Sequence, residues 1–114
     1  MITVDVFYNE DNLVDRYKVT GHAESVDEGF DQVCALVSLT TQLPVLGLEQ
    51  HLKRKLAYAL DEEEGMLEVK LEDTPDDLTE AILQTMLCGL KNFHEEYPKY
   101  LSTNEHRRGV WCLN

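Results

Sequence analysis

Cys34 and His22 are the residues whose types and spacing could support nucleophilic catalysis. His22 lies in the run Gly21-His22-Ala23 after a predicted strand, and Cys34 lies near the start of a predicted long helix. A cysteine attacks as its thiolate, which is favoured near a helix N-terminus or beside an imidazolium. The segment between them is long enough to fold back and bring the imidazole within hydrogen-bonding reach of the thiol. The two residues are therefore candidates for a nucleophile and its general base.

Asp31 and Ser38 flank this cysteine and are candidate supporting residues. We expect Asp31 to cap the helix, which puts Cys34 at the third helical position, inside the first turn where the macrodipole acts. Ser38 follows Cys34 by four residues and so shares its helical face. Backbone amides at the helix start are then expected to stabilise an oxyanion.

The same residues also have a purely structural interpretation. A lone cysteine in an apolar helix is usually a small buried hydrophobe, and a lone histidine after a strand is usually solvated or caps a backbone group. By default, Asp31 is an ordinary N-cap and Ser38 bonds a carbonyl of its own helix. On spacing alone, this structural interpretation is favoured over a catalytic one.

Hydrophobic periodicity predicts the elements that must position these residues. Two hairpins alternate with two helices, and the segment from Gly21 to Phe30 is predicted as a surface loop. This order (ββαββα) predicts a two-layer α+β domain in which a four-stranded sheet packs against two helices, with the strand order left open. The predicted strands cover 2–8, 13–19, 56–60 and 66–71. The predicted helices begin directly after their caps, Asp31 and Thr74. The single domain is 1–101, followed by a C-terminal tail of uncertain role at 102–114.

Individual residues mark the ends and irregularities of these elements. Pro44 lacks an amide hydrogen, so the first helix should bend or loosen there before it continues toward residue 51. Gly65 can take the positive φ that the second reversal needs. Thr74 is predicted to cap the second helix with Pro75 at its first position, and Pro98 is predicted to end it.

Composition limits the class of protein and of partner. The chain has 114 residues, 22 acidic against 10 basic side chains, a formal net charge of −12 and three cysteines. An odd number of widely spaced cysteines and the lack of a signal-like N-terminus predict a cytoplasmic protein with reduced thiols. The negative charge argues against direct nucleic-acid binding and favours cationic partners, and no apolar stretch is long enough to span a membrane.

Metal and cofactor motifs are missing from the sequence. There is no Cys-x-x-Cys pair, no His-Glu-x-x-His pair, no glycine-rich phosphate loop and no Gly-x-Ser-x-Gly elbow. We therefore expect neither a metal nor a cofactor.

The combined pattern around the candidate pair resembles the signature of the Prp family of ribosomal-processing cysteine proteases. The resemblance covers nearly the whole chain, and the combined motif is specific where each piece is not. It favours the catalytic interpretation over the structural one. The residues that carry it are Gly21-His22-Ala23, Gly29, Asp31, Val33-Cys34-Ala35 and Val37-Ser38.

The resemblance implies a cytoplasmic cysteine endopeptidase that acts in ribosome maturation. Its substrate would be the N-terminal extension of a basic large-subunit ribosomal protein, the one numbered twenty-seven. Cys34 would be the nucleophile and His22 the general base, with Asp31 and Ser38 in support and a flexible loop bounded by Gly21 and Gly29. Family members are described as homodimers, so the resemblance implies a homodimer here.

Two other functions remain open on the sequence. A non-enzymatic ribosome-assembly factor would bind a basic ribosomal protein through its acidic surface without cutting it. A thiol redox sensor would oxidise Cys34 reversibly and cleave no peptide.

Overall fold

The computed structural model describes residues 1–21, 28–61 and 63–108, with the backbone alone at 28–31. Within these ranges, five strands form one mixed sheet that packs against two helices. The predicted α+β architecture with two helices is confirmed. The strands are β1 (Ile2–Tyr8), β2 (Val14–Thr20), β3 (Leu56–Asp61), β4 (Met66–Leu71) and β5 (Leu101–His106), and the helices are α1 (Glu28–Leu46), continued by a π-helical turn over Gly47–His51, and α2 (Asp77–Glu96).

The sheet has one strand more than predicted. Its order is β3-β4-β2-β1-β5, in which β5 pairs in parallel with β1 and all other neighbours are antiparallel. β5 occupies the start of the predicted tail, and the prediction missed it because its residues are polar after the buried Leu101. Its partner in the sheet lies almost a whole chain length away, and single-sequence periodicity cannot detect such a pairing.

Both helices lie on the same face of this sheet. The Tyr17 hydroxyl on β2 donates a hydrogen bond to the Thr41 carbonyl of α1 at 2.6 Å, and the Gln84 amide of α2 donates to the Tyr8 hydroxyl on β1 at 2.9 Å. Both tyrosines are buried on the core face. The core between the layers is aliphatic in the main, and its buried members include Val4, Val6, Val33, Val37, Leu48, Leu67, Val69, Leu83, Leu87, Leu90 and Leu101.

Pro44 and Gly65 behave as their residue types predict. Pro44 lies inside α1, and the α-helix gives way to the π-helical turn shortly after it, in agreement with the predicted loosening and continuation toward residue 51. Gly65 has φ 62° in the turn between β3 and β4, a left-handed conformation that glycine adopts without a steric penalty. Gly65 lines the same pocket as Cys34, so this turn of the β3–β4 hairpin borders the candidate site.

The predicted cap of the second helix is wrong by two residues. Asp76, rather than Thr74, is the N-cap, and its carboxylate accepts hydrogen bonds from the amides of Leu78 and Thr79. The Thr79 hydroxyl accepts in turn from the Asp76 amide, which completes a capping box. Pro75 therefore precedes the cap instead of opening the helix.

In the described ranges, neither helix combines the length and the apolar character that crossing a bilayer requires.

Candidate active site

Cys34 lies in α1 on the side of the helix that faces the sheet. Its side chain is half-buried and packs against the core, next to the fully buried Val33. Val37 and Ser38 are one turn further along the helix, the first buried and the second exposed. The helix therefore places the sulfur at the boundary between the core and an open cleft.

This cleft is the space in which a substrate could reach Cys34. It has a volume of about 550 Å³, which lies within the range of roughly 300–1,000 Å³ typical of ligand sites. One wall is α1, and the other is formed by the end of β2 and by the β3–β4 hairpin. The residues that line it are Ile2, Val19, Thr20, Gly21, Cys34, Val37, Ser38, Thr41, Gln42, Leu60, Asp61, Glu63, Gly65, Met66 and Leu67.

Gly21 closes the end of β2 at this cleft through close backbone contacts. Its amide donates a hydrogen bond to the Gly65 carbonyl at 3.0 Å, which ties the end of β2 to the hairpin turn. A Cβ atom at position 21 would lie 2.9 Å from the Cα of Ile2 and 3.1 Å from the Met1 carbonyl oxygen. Only glycine fits this position without movement of the neighbouring strand, so the chain enters the segment after Gly21 from a fixed point.

The structure brings three of the predicted site residues together. Cys34, Ser38 and Gly21 all line the same cleft. This arrangement agrees with the expectation that Ser38 shares the helical face of Cys34. Ser38 is exposed, so its hydroxyl can meet a bound molecule.

His22 falls outside the described residues. It follows Gly21 directly in the chain, and Gly21 is in the wall of the cleft. The pairing of the His22 imidazole with the Cys34 thiol therefore stays a prediction.

The predicted start of the first helix is wrong. α1 begins at Glu28, three residues before Asp31, so Gly29 belongs to its first turn and Cys34 is its seventh residue. Residues 21–30 lack apolar periodicity, so the pattern did not predict the first turn of α1. The one favourable signal was Glu28, because a carboxylate is stabilised near a helix N-terminus. Asp31 is not the cap, and the Asp31 side chain lies outside what the structure describes.

This shift removes one predicted contribution to the chemistry. The macrodipole acts mainly within the first turn, and the amides that a helix start leaves unpaired are its first four. Cys34 lies beyond both, so its activation and the binding of an oxyanion cannot rest on the start of α1.

The rim of the cleft is acidic on the hairpin side. Asp61 and Glu63 line it, and Glu64 is exposed beside them in the turn. The chain as a whole carries a net charge of −12. In the described ranges, no group of three metal-ligating side chains forms. This rim therefore presents negative charge to a molecule that enters the cleft.

Tyr17 and Thr41 hold α1 against the sheet beneath the cleft. The Tyr17 hydroxyl donates to the Thr41 carbonyl, and burial raises the pKa of Tyr17 well above its ordinary value. The phenol therefore stays protonated and remains a donor at any physiological pH. Because Thr41 also lines the cleft, this hydrogen bond fixes the wall on which Cys34 and Ser38 lie.

The sequence analysis missed the far wall of the cleft. Leu60, Met66 and Leu67 come from the β3–β4 hairpin, and Gln42 lies two turns after Cys34 on α1. Helical spacing from Cys34 could have indicated Gln42. No signal in the sequence could have indicated the hairpin residues, because their place depends on the strand order.

Comparison with known proteins places the chain in a family. The family model for cysteine protease Prp matches residues 1–102. The ribosomal processing cysteine protease Prp of Staphylococcus aureus is 32% identical over 104 residues, which cover 91% of this chain and 98% of the relative.

Solved structures agree with that assignment. The crystal structure of the essential ribosomal processing protease Prp from S. aureus in complex with a substrate peptide has a TM-score of 0.85 and 30% identity, and covers 92% of this chain and 99% of the other. The same protease with a covalently linked product peptide has a TM-score of 0.81 at 31% identity, with the same coverage. SMU.848 from Streptococcus mutans has a TM-score of 0.85 at 25% identity, with 95% and 96% coverage. The chain therefore belongs to the cysteine protease Prp family and is a peptide hydrolase of the cysteine class.

Proposed function

We propose that this protease removes the N-terminal extension of the large-subunit ribosomal protein numbered twenty-seven during ribosome maturation, in the cytoplasm. The observation that carries the proposal is the position of Cys34 in the wall of a cleft large enough for a peptide. The similarity to a ribosomal processing protease along nearly all of both chains supports the choice of substrate.

Cys34 is the proposed nucleophile, and His22 is its proposed base and acid. The Cys34 thiolate attacks the scissile carbonyl carbon and forms a thioester, while the His22 imidazolium gives its proton to the leaving amine. Water then attacks the thioester with His22 as base, which releases the new carboxylate and restores the thiol. Because Cys34 lies beyond the first turn of α1, the imidazolium is the main group that stabilises the thiolate.

Ser38 and Asp31 have proposed supporting roles. The Ser38 hydroxyl lines the cleft one turn from the sulfur, where it can hydrogen-bond a substrate atom next to the scissile bond. Asp31 lies one turn before Cys34 and is proposed to orient the site. The segment after Gly21 is proposed to move when the peptide enters.

The acidic rim gives a reason for a basic substrate. Ribosomal proteins are cationic, and the Asp61 and Glu63 carboxylates face the cleft of a chain with a net charge of −12. Such a field raises the rate of association with a cationic segment and weakens at high salt. The same field disfavours direct contact with a nucleic acid.

A homodimer is part of the proposal, and α1 offers a surface for it. Leu39, Leu43 and Leu46 are exposed by 64%, 58% and 49% and recur at helical spacing on one face. Three large apolar side chains in one stripe are costly to leave in water. We propose that this stripe packs against the same stripe of a second copy.

The experiment is cleavage of a peptide that spans the N-terminal extension, followed by mass spectrometry. We expect wild type to cut once, and Cys34→Ala and His22→Ala to lose at least about a thousandfold in kcat/KM. Cys88→Ala and His51→Ala are matched controls at exposed positions outside the cleft, and both should cut at the wild-type rate.

Two results would reject the proposal. Binding of the peptide without cleavage by wild type would favour the non-enzymatic assembly factor. Cleavage by Cys34→Ala at the wild-type rate would assign the nucleophile elsewhere.

A further inference from the structure

Strand β3 forms one edge of the sheet and lacks the features that usually protect such an edge. In the described sheet, β3 pairs with β4 alone. Its residues 56–60 contain neither a charge nor a proline, and its ladder with β4 shows no bulge. Natural edge strands carry charges, prolines or bulges because an open edge is a template for another strand. The opposite edge, β5, is polar or charged at 102–106, so only β3 presents an unprotected edge in this sheet.

The hydrogen bonds of the hairpin show which backbone groups of β3 point to this edge. The Lys55 carbonyl accepts a hydrogen bond from the Glu72 amide at 2.9 Å, on the β4 side of the strand. Backbone groups alternate in direction along an antiparallel strand. The amides and carbonyls of Leu56, Tyr58 and Leu60 therefore point away from β4 and towards the open edge.

Two large side chains leave apolar surface beside the same edge. Tyr58 and Leu60 pair with Val69 and Leu67 of β4, which are buried, so they lie on the core face of the sheet. They are nonetheless 59% and 53% exposed. A strand that adds to β3 would bring its own side chains over this surface.

The charges at the two ends of β3 are opposite in sign. A basic run at 53–55 precedes the strand, and an acidic run at 61–64 follows it. Two copies of β3 that pair antiparallel about Tyr58 therefore put Lys55 of each copy opposite Asp61 of the other. Opposite charges directly across two strands are favourable, whereas a parallel copy would put like charges together. The other facing pairs are Leu56 with Leu60 and Ala57 with Ala59.

The same register also satisfies the backbone. It sets Tyr58 opposite Tyr58 of the second copy, and Leu56 opposite Leu60. These are the residues whose amides and carbonyls point to the edge, and facing residues of this kind exchange two hydrogen bonds. Charge, apolar surface and backbone direction thus agree on one register, and the strand that fits it is another β3.

We propose that a second copy of this chain adds its β3 to the β3 edge, antiparallel and centred on Tyr58, so that two sheets join into one. The contact is isologous and separate from the α1 stripe, so both surfaces together would build an assembly larger than a dimer. Asp61 lines the cleft that contains Cys34, and Lys55 of the second copy would therefore stand at the rim of that cleft. The inference does not depend on which peptide the protease cuts.

The first test exchanges charges and measures the Kd of self-association by analytical ultracentrifugation at low salt. Every protein carries Leu43→Ser, so that the α1 stripe does not contribute. Lys55→Glu or Asp61→Lys alone puts like charges together at both ends of the contact, and we expect the Kd to rise about tenfold. The double variant exchanges the two charges and should return the Kd to within about twofold of the Leu43→Ser protein.

Lys99→Glu is the matched control for a change in net charge. Lys99 is exposed in the turn before β5, which forms the other edge of the sheet. Its replacement should leave the Kd unchanged. A mixture of the Lys55→Glu and Asp61→Lys proteins should associate more tightly than either protein alone, because each then meets the opposite charge.

The second test reads the register without a change of charge, in the chain with its native α1 stripe. Ala57→Cys and Ala59→Cys proteins are mixed under mild oxidation, and the disulfides are mapped by mass spectrometry. Facing residues at these positions would have Cα atoms about 4.5 Å apart, within reach of a disulfide. We expect a disulfide between positions 57 and 59 in the mixture, and no disulfide joining the new cysteines in either variant alone.

Three results would overturn the β3 contact. A Leu43→Ser protein that stays monomeric at the highest attainable concentration would show that the edge does not associate. A double variant that associates no better than the single variants would show that Lys55 does not face Asp61. Equal cross-linking in the mixture and in the separate variants, or none, would show that the register is absent. None of these results bears on peptide cleavage, which tests the proposed function separately.

Discussion

Replacement of Gly21 by alanine should lower both the stability and the activity of the protein, because Gly21 is in close contact with the backbone of β1 and directly precedes His22. The new Cβ would lie 2.9 Å from the Ile2 Cα and 3.1 Å from the Met1 carbonyl oxygen. Carbon atoms pack best at about 3.5–4.0 Å, so the end of β2 must move by at least roughly 0.5 Å. Both neighbours are backbone atoms of β1 or its start, which cannot rotate away as a side chain would. Overpacking of this kind costs about 1–3 kcal/mol in the free energy of unfolding.

The movement reaches the proposed chemistry because His22 is the next residue. A misplacement of about 1 Å in a catalytic group can lower the rate on the order of a hundredfold. We therefore expect kcat/KM for peptide cleavage to fall by about ten- to a hundredfold, beyond any loss from unfolding. The assays are urea denaturation and peptide cleavage of the same Gly21→Ala preparation.

Gly89→Ala on α2 is the matched control for this prediction. Its Cβ would meet only the Thr40 Cγ2 atom, at an ordinary contact distance of 3.7 Å. Alanine in a helix interior is more favourable than glycine by about 0.5–1 kcal/mol, so this variant should be slightly more stable and fully active. An unchanged unfolding free energy and an unchanged kcat/KM for Gly21→Ala would refute the packing argument. Lost stability with full activity would show that Gly21 does not position His22.

Three further predictions concern the stability of the fold. Tyr17→Phe removes the 2.6 Å hydrogen bond to the Thr41 carbonyl, and we expect it to lower the unfolding free energy by about 1 kcal/mol in urea denaturation. Leu101→Ala should lower the unfolding free energy by about 2–5 kcal/mol in the same assay, because Leu101 is fully buried. A change near zero would show that β5 does not pack against the core. A hydrogen bond from the Tyr8 hydroxyl, together with Lys91, lowers the pKa of Glu105 below its ordinary 4.5, so the carboxylate stabilises the fold above that pH and loses this effect as the pH falls through the lowered folded value. Wild type and Glu105→Gln should thus differ in stability at neutral pH and converge in acid, and a constant difference across a pH series of denaturation curves would contradict that assignment.

Local residue patterns predicted the elements whose structure is determined locally. The alternation of Ile2, Val4 and Val6 marks β1, and Gly65 marks the reversal of the second hairpin; both agree with the structure. The loosening of α1 near Pro44 follows from one missing amide hydrogen. Each of these features depends on a few consecutive residues, so the sequence suffices to predict it.

Features that depend on competition or on distant partners were not predictable. Thr74 and Asp76 are both good N-cap residues, and Asp76 is the cap in a box with Thr79, while it also pairs with Arg54 at 2.7 Å. The Arg54 guanidinium and the Thr79 amide hold the pKa of Asp76 below its ordinary value. The contact with Arg54 comes from a separate part of the chain, which no local pattern contains.

The two walls of the candidate site differ in the same respect: one depends on local spacing and the other on strand order. Helical spacing correctly put Ser38 on the same face as Cys34, because both lie in α1. The opposing wall, with Leu60 and Met66, requires the strand order β3-β4-β2, in which the second hairpin lies beside β2. The sequence therefore predicted residues of the α1 wall of the cleft but none of the hairpin wall.

The most direct test of the central claim is to trap the covalent intermediate. Wild-type protein is mixed with the extension peptide, quenched in acid within the first turnover, digested and mapped by mass spectrometry. The mechanism predicts an added mass equal to the acyl part of the peptide on Cys34, with Cys88 unmodified and no adduct in Cys34→Ala. An acyl group on another residue, or normal cleavage by Cys34→Ala, would contradict the assignment of Cys34 as the nucleophile.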